Sequence, residues 1–598
     1  MKSLLAVVSS ILVSAQPFAQ TAPRRGTEGP AAGYWPEARS REILEKTQTV
    51  RLAPDLSHLS EGERRAVAKL LEAGKIFQSL YEEQRHERAL SAERDLQRRT
   101  GPDAQNLLTL YRLYQGPIAT TLENKREPFL PVEMTPPGQN VYPWNITKEE
   151  TDAFLAAHPE RRDALLDLRT VVRRATAESL RRDLSELRQH PALSTLHPGL
   201  QAELQKMSAR PDPKMLYAVP YSVAYADQTV RAHALLNEAA DAVQKDDEEF
   251  ARYLRNRARD LLSDDYESGD ASWITGRFKN LNAQIGAYEV YDDALYGVKT
   301  FYAFSLLATR RAETEALRKA MSGIQALEDS LPYEHHKKVR EDIPVGVYDV
   351  IADFGQARGG NTATILPNEN YLARRYGRTI LLRANIMRNP DIFQGAGNAW
   401  EAAVAPAHKD DLTSEGGFYR TLWHEVGHYL GVDATKTGRD LDTALQDASS
   451  LLEEMKADLV ALYVAEALRK QNYYTDAQLR SVYAGGVSRV LQNNRPRREQ
   501  PYNTMQLMQW NFFLEQGLLS FDPQTKKLRI DYGKYHDVVG KLLRKVLEVQ
   551  REGDRAAADA FIDRYAKWDD SLHGAVAAGI RAQQRYRFRI FKYAALGE

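Results

Sequence analysis

His424-Glu425-Val426-Gly427-His428 sets two imidazoles four residues apart, with a carboxylate beside the first. On an α-helix that spacing brings both rings to one face, one turn apart, where they can reach a single zinc ion. Glu425 then stands beside them, placed to take a proton from a water that the ion activates. Five residues are a short pattern, and a pair of ordinary helix histidines reads the same way. A third ligand separates the two readings. In one known arrangement a glycine follows the second histidine by three residues and another histidine by six. Gly431 meets the first condition, but position 434 is Ala434, and Asp433 is one residue off. The alternative is a glutamate from a following helix, and Leu451-Leu452-Glu453-Glu454-Met455-Lys456-Ala457-Asp458 supplies one. The run 451–464 is otherwise mostly apolar, so its helix should be buried, and an ionised carboxylate is costly to bury unless it binds a metal or a charged partner. Glu454 and Asp458, four apart, share one face. Glu454 can ligate the ion while Asp458 accepts a hydrogen bond from the far nitrogen of a ligand histidine. A solvated Glu-Lys-Asp face on an amphipathic helix is the competing reading. The two halves, with His428 and Glu454 26 residues apart, favour a hydrolase holding one zinc ion.

The elements that must carry these residues follow from the patterning. Val67, Leu70, Leu71, Ile76 and Leu80 recur at helical steps, and the helical pattern runs from about Ser60 to Met207. It is broken by Pro128, Pro131, Pro136, Pro137 and Pro143, after which Thr147 and Glu150 form a candidate capping box. Tyr288 to Phe304, Val345 to Phe354, Thr362 to Leu366 and Arg378 to Ile386 are β-branched or aromatic runs at strand spacing. Helical pattern returns from about Phe418 to Gly517 and from Tyr532 to Arg585. The expected fold class is α+β, predominantly α-helical. The pattern gives a helical lobe built from N- and C-terminal segments and a smaller mixed part from the middle. The expected divisions are a signal peptide at 1–19, a linker or arm at 20–56, a helical region at 57–270, a mixed α/β region at 271–395 and a helical zinc-binding region at 396–598.

Composition narrows the function classes. The chain of 598 residues carries 81 Lys plus Arg against 81 Asp plus Glu, which argues against a nucleic-acid or anionic-membrane partner, since both need a basic surface. With 0 Cys, disulfides, thiolate nucleophiles and zinc fingers are excluded. Lys2 followed by the apolar run Leu4 to Val13 and small residues near Ala15 and Ala19 reads as an export signal, periplasmic for a Gram-negative source. No later segment is apolar for long enough to span a membrane. His408, His536 and His573 are isolated histidines that read as structural. Tyr288 and Tyr429 are candidate phenol donors.

The two zinc motifs together resemble the dipeptidyl peptidase III family of zinc peptidases, the second most specifically: Glu453-Glu454-Met455-Lys456-Ala457-Asp458, then Leu459-Val460-Ala461-Leu462-Tyr463. Ile285-Gly286-Ala287-Tyr288-Glu289-Val290-Tyr291, Ile365-Leu366-Pro367-Asn368-Glu369 and Leu514-Glu515-Gln516-Gly517 are similar to its bacterial zinc-hydrolase branch. The resemblance covers about residues 270 to 550. It implies two lobes around a wide cleft, with the zinc helices in the mainly helical lobe. It implies His424, His428 and Glu454 as ligands of one Zn2+, Glu425 as general base, and Glu453 and Asp458 holding the histidines. The chain also departs from the pattern. Familiar members have one residue more between the histidines, although Gly427 is kept. The family's transition-state tyrosine falls at Gln284, and its catalytic histidine falls near Thr504. Of the groups holding the substrate's free amine, one asparagine is matched by Asn368, while its partner falls at Ile365 and a glutamate at Asn282. Glu289 and Tyr288 are kept as further candidate substrate contacts. The expectation is an exported zinc metallohydrolase that cleaves peptide bonds. An ester or amide hydrolase on the same scaffold and a non-enzymatic zinc protein are the alternatives. The expected partner is a peptide or small-molecule substrate, and the sequence leaves the oligomeric state open.

Overall fold

Helices begin where side chains can satisfy the amide groups of the first turn. Ser60 and Glu63 exchange bonds at the start of Glu61–Arg85, and Thr475 and Gln478 do the same for Asp476–Val490. At Lys148–Ala157 the Thr147 hydroxyl accepts from the Glu150 N–H at 3.1 Å. The computed structural model describes residues 33–340, 343–498 and 500–598. The segment read as a signal peptide, 1–19, lies outside the described residues.

One five-stranded mixed sheet organises the molecule, in the order Leu281–Glu289, Phe301–Thr309, Val345–Gly355, Thr379–Arg383, Ala363–Leu366. The pairing between 345–355 and 379–383 is parallel and the rest are antiparallel. Side chains on a strand alternate between faces, and here each face feeds a different core. Ile380 and Leu382 join one core, and Leu381 joins the other. On the first face Val345, Val347, Ala363 and Ile365 pack with the helices Ser414–Gly427, Asp447–Lys470, Asp476–Val490, Pro501–Glu515 and Tyr535–Glu552. On the second, Phe304 meets Phe77 of Glu61–Arg85 edge-on at 5.3 Å, and Ala226–Val243 and Glu248–Ser263 complete the layer. The fold is α+β and mainly helical, in two lobes, with a large core on each face of the sheet and two smaller apolar clusters among the described residues. Among the described residues no helix is long and apolar enough to cross a membrane.

The layout differs from the expected one. N-terminal helices cover the second face of the sheet instead of joining the C-terminal helices, because that face carries Phe304, Phe354 and Leu306 and must be buried. The stretch read as an arm holds the helix Glu37–Glu45 and the strand Thr47–Leu52, which pairs in parallel with Phe588–Tyr593. Within the region read as helical, Thr170–Ala175 and Asp212–Pro220 form an antiparallel pair. The run read as one strand, 288–304, is the end of one strand and the start of the next. Between them Asp293 accepts four backbone N–H bonds, from Leu295, Tyr296, Val298 and Lys299, and so sets the turn.

Candidate metal centre

Two buried helices cross to make the site. The histidine helix, Ser414–Gly427, starts at Thr413, whose hydroxyl accepts from the Gly416 N–H, and Gly431 at φ +80° turns the chain away after His428. The glutamate helix, Asp447–Lys470, is buried along most of its length. They meet at Gly427 and Ala457. This contact brings His424, His428 and Glu454 together with one donor atom each, all within 4.8 Å of one another. His424 Nε2 lies 3.3 Å from Glu454 Oε2, and His428 Nε2 lies 3.9 Å from Glu454 Oε1.

The opposite ring nitrogens face other carboxylates. His424 Nδ1 is 2.7 Å from Asp458 Oδ1, and His428 Nδ1 is 3.1 Å from Glu453 Oε1. A carboxylate at Nδ1 holds the ring in the tautomer whose Nε2 lone pair points at the common centre. The acids are themselves held. Asp458 pairs with Arg420 at 2.7 Å and faces Arg489 at 3.6 Å, while Glu453 pairs with Lys456 at 2.8 Å and accepts from Gln550 at 3.3 Å.

Electrostatics suit a cation. Burial alone would lower the His424 pKa, but Asp458, Glu454 and Glu425 outweigh it and raise it to about 9. Burial would raise Glu454, yet its hydrogen bond to His424 and the charge of His428 bring it below the ordinary carboxylate range. Glu453 is pulled down to about 2 against its burial, by Lys456 and then His428. Glu425 is raised instead, chiefly by burial, with the histidines opposing. Among the described residues, both Glu425 oxygens and His428 Nε2 are buried without a hydrogen-bond partner. Two imidazoles and one carboxylate converge here beside the buried Glu425 carboxylate. That is the donor set of a divalent-cation site with a base at its side, so the residues present fit a metal.

The substrate candidates are placed less evenly. Asn368 and Glu289 are half-buried neighbours, and the Asn368 amide donates to the Tyr288 carbonyl at 3.3 Å. Tyr288 itself is buried, and its phenol donates to Asp270 at 2.6 Å beside Arg257 and Asp260, a core contact that uses its proton within the protein. Asn282 is spent between Trp273 at 2.8 Å and Tyr348 at 2.9 Å, Ile365 is in the core, and Gln284 accepts from Arg383 at 3.1 Å. Thr504 is buried and donates to the Arg497 carbonyl. The isolated histidines are structural: His408 bonds Asp411 and accepts from the Ile530 N–H, His536 stacks on Tyr463, and His573 meets Trp510 edge-on. The Tyr429 hydroxyl is enclosed, with no hydrogen-bond partner among the described residues.

Sequence reasoning missed Arg420, Lys456 and Tyr502. Arg420 and Lys456 have a retrospective signal, four residues before His424 and three after Glu453, spacings that share a helix face. Tyr502, whose hydroxyl donates to Glu454 Oε1 at 3.2 Å, has none, since it reaches the site from a third helix.

No family model matches the chain. Over 442 residues it is 26% identical to Nudix hydrolase 3 of Arabidopsis thaliana, covering 72% of this chain and 54% of that protein. The chain thus spans about half the length of the curated relative it matches. Among solved structures, DPP III from Caldithrix abyssi superimposes with a TM-score of 0.78 at 24% identity, covering 92% of this chain and 98% of that one. Dipeptidyl-peptidase III from Corallococcus sp. strain EGB gives 0.70 at 24% identity, covering 94% and 98%.

Proposed function

Starting from the dipeptidyl peptidase III fold, which this chain has, we propose that the protein is a zinc peptidase with His424, His428 and Glu454 as metal ligands and Glu425 as general base. The observation that carries the reading is Glu425. Its carboxylate is buried, one residue from His424, with neither oxygen hydrogen-bonded among the described residues. A site built only to hold a metal has no use for such a base. Zinc, when bound, polarises a carbonyl and acidifies water at that site. The chain supplies the rest. Glu425 takes a proton from the attacking water as its oxygen bonds to the scissile carbonyl carbon. When the C–N bond breaks, Glu425 returns that proton to the departing amine. Asp458 and Glu453 hold the imidazoles in register throughout.

Dipeptide release is the part of the family's behaviour least supported here. An amine anchor needs a carboxylate and amide-type acceptors, and two of the expected positions, Asn282 and Ile365, are core residues. Asn368 and Glu289 remain as the pair facing this role. Losing one charge-assisted hydrogen bond costs about 1.5–3 kcal/mol, or about 10- to 150-fold in discrimination. Weak or altered dipeptide release follows, with the free amine mattering less than usual. Export is read from the N-terminal segment alone.

The test is metal analysis of the purified protein together with mass spectrometry of a digested peptide library. Zinc near one equivalent and cleavage of peptides support the reading. Cleavage of an ester panel with peptides untouched replaces it with the alternative hydrolase. A peptide compared with its N-acetylated twin then measures the anchor, and complete loss on acetylation with dipeptides as sole products overturns the weak-anchor proposal.

A further inference from the structure

Peptide hydrolysis builds negative charge on the carbonyl oxygen, and a donor aimed at that oxygen is worth about 10²- to 10³-fold in rate. The positions where the resemblance puts such donors hold Gln284 and Thr504, both buried and engaged within the protein. Tyr502 is placed differently. It occupies the first turn of Pro501–Glu515, where Pro501 fits the start of a helix. Its hydroxyl bonds a member of the triad directly, at 3.2 Å from Glu454 Oε1. That same oxygen is the one facing His428 Nε2, while Oε2 turns to His424. Tyr502 therefore stands on the His428 edge of the triad. This is also the open edge: His424 is 1% and Glu454 0% exposed, whereas the His428 side chain is 16% exposed and Tyr502 is half-buried.

We propose that Tyr502 is a catalytic residue, donating a hydrogen bond to the scissile carbonyl oxygen as that carbonyl becomes tetrahedral. The inference rests on the peptidase reading above. No atom is transferred: the phenol keeps its proton, and Glu425 alone carries the proton of water. A carboxylate that shares its electrons with a metal holds a phenol proton less strongly, which frees the hydroxyl for a more basic oxyanion. The rival role is positional, with Tyr502 only steadying Glu454.

Tyr502→Phe in the zinc-loaded enzyme separates the two. Turnover, KM, zinc affinity by chelator competition, and calorimetric affinities for a peptide phosphonate and for the product peptide are measured on the same preparation. The expected result is a fall of about 10²- to 10³-fold in kcat, with KM and zinc affinity within twofold. Phosphonate affinity falls by a comparable factor, and product affinity holds. A loss of zinc affinity with phosphonate preference intact makes Tyr502 a positioning residue and overturns the proposal, as does a variant that matches wild type throughout. If the phenylalanine chain fails to fold, fluorotyrosines at 502 replace it: phosphonate affinity rising with phenol acidity supports the proposal, and a flat response overturns it. A wild-type enzyme that neither cleaves peptides nor binds the phosphonate sinks the peptidase reading itself, which is a separate outcome.

Discussion

Gly427 on the histidine helix rests so closely on Ala457 of the glutamate helix that a Cβ at Gly427 would stand 2.8 Å from the Ala457 carbonyl oxygen and 3.0 Å from its Cα. Both obstacles are backbone, so no side chain can swing aside. Gly427→Ala should force the helices apart and spread the three donors, costing about 1–3 kcal/mol as overpacking does. Thermal unfolding and zinc content are the measurements. A variant with wild-type values in both would mean that the crossing does not set the site.

Glu454→Gln keeps the side-chain shape and removes the charge, and zinc content should fall sharply. Glu425→Ala should keep its zinc and lose about 10²- to 10⁴-fold in turnover, the usual contribution of general base catalysis. Metal analysis and peptide assays on the two proteins side by side check both halves. Full zinc in the first or wild-type rate in the second rejects the corresponding assignment.

Asp458→Asn should weaken zinc binding by about 10- to 100-fold, since it removes the charge behind His424 without removing a ligand. It also leaves the buried Arg420 beside a neutral partner, so melting temperature should fall as well. Glu453→Gln, whose carboxylate is partly exposed, should do less on both counts. Chelator titration and calorimetry give the ranking, and equal effects at the two positions would contradict it.

Stability should depend on pH through Glu82, far along the sequence from the site. Burial raises its carboxyl from 4.5 to about 7, against the hydrogen bonds from Gln78 and Tyr111. The folded state therefore binds more protons than the unfolded chain between those values. Stability is greatest below about pH 4.5 on this account and falls as pH rises towards 7, by on the order of 2–3 kcal/mol. Glu82→Gln removes that slope: its oxygen accepts from Gln78, and its amide can donate to the Tyr111 oxygen, whose own proton goes to the Ala89 carbonyl. Denaturant midpoints should show the variant more stable than wild type at pH 8 and nearly equal at pH 5. Parallel curves at the two pH values would remove Glu82 as the cause.

The triad and its nearest carboxylates were legible because each motif lies within one or two turns of a single helix, where spacing alone dictates which side chains share a face. The pairing of the two motifs was legible through a cost: Glu454 and Asp458 sit in an apolar run, and charge in such a run demands a partner. What could not be read is whatever depends on contact between distant segments. Tyr502 reaches Glu454 from 48 residues away with no periodicity to announce it. Asn282 and Gln284 look polar and available in the sequence, and only the sheet shows them consumed by Trp273, Tyr348 and Arg383. Thr170–Ala175 is β-branched only at its start and lies between helices, so its strand character comes from its partner at 212–220.

The strand Thr47–Leu52 has its only sheet partner among the described residues in Phe588–Tyr593, and Gln48 bonds Arg589 across a separation of 541 residues. During synthesis that strand leaves the ribosome with its buried residues, Val50 and Leu52, and a row of amides exposed, and its mate follows 541 residues later. Until then the nascent chain presents an open β-edge, a surface that invites mispairing and gives holdase chaperones something to grip. Closing so long a loop also carries an entropic cost, one that grows only slowly with loop length. Assembly is expected to finish with this seam, and fragments truncated before residue 588 should be soluble only with help.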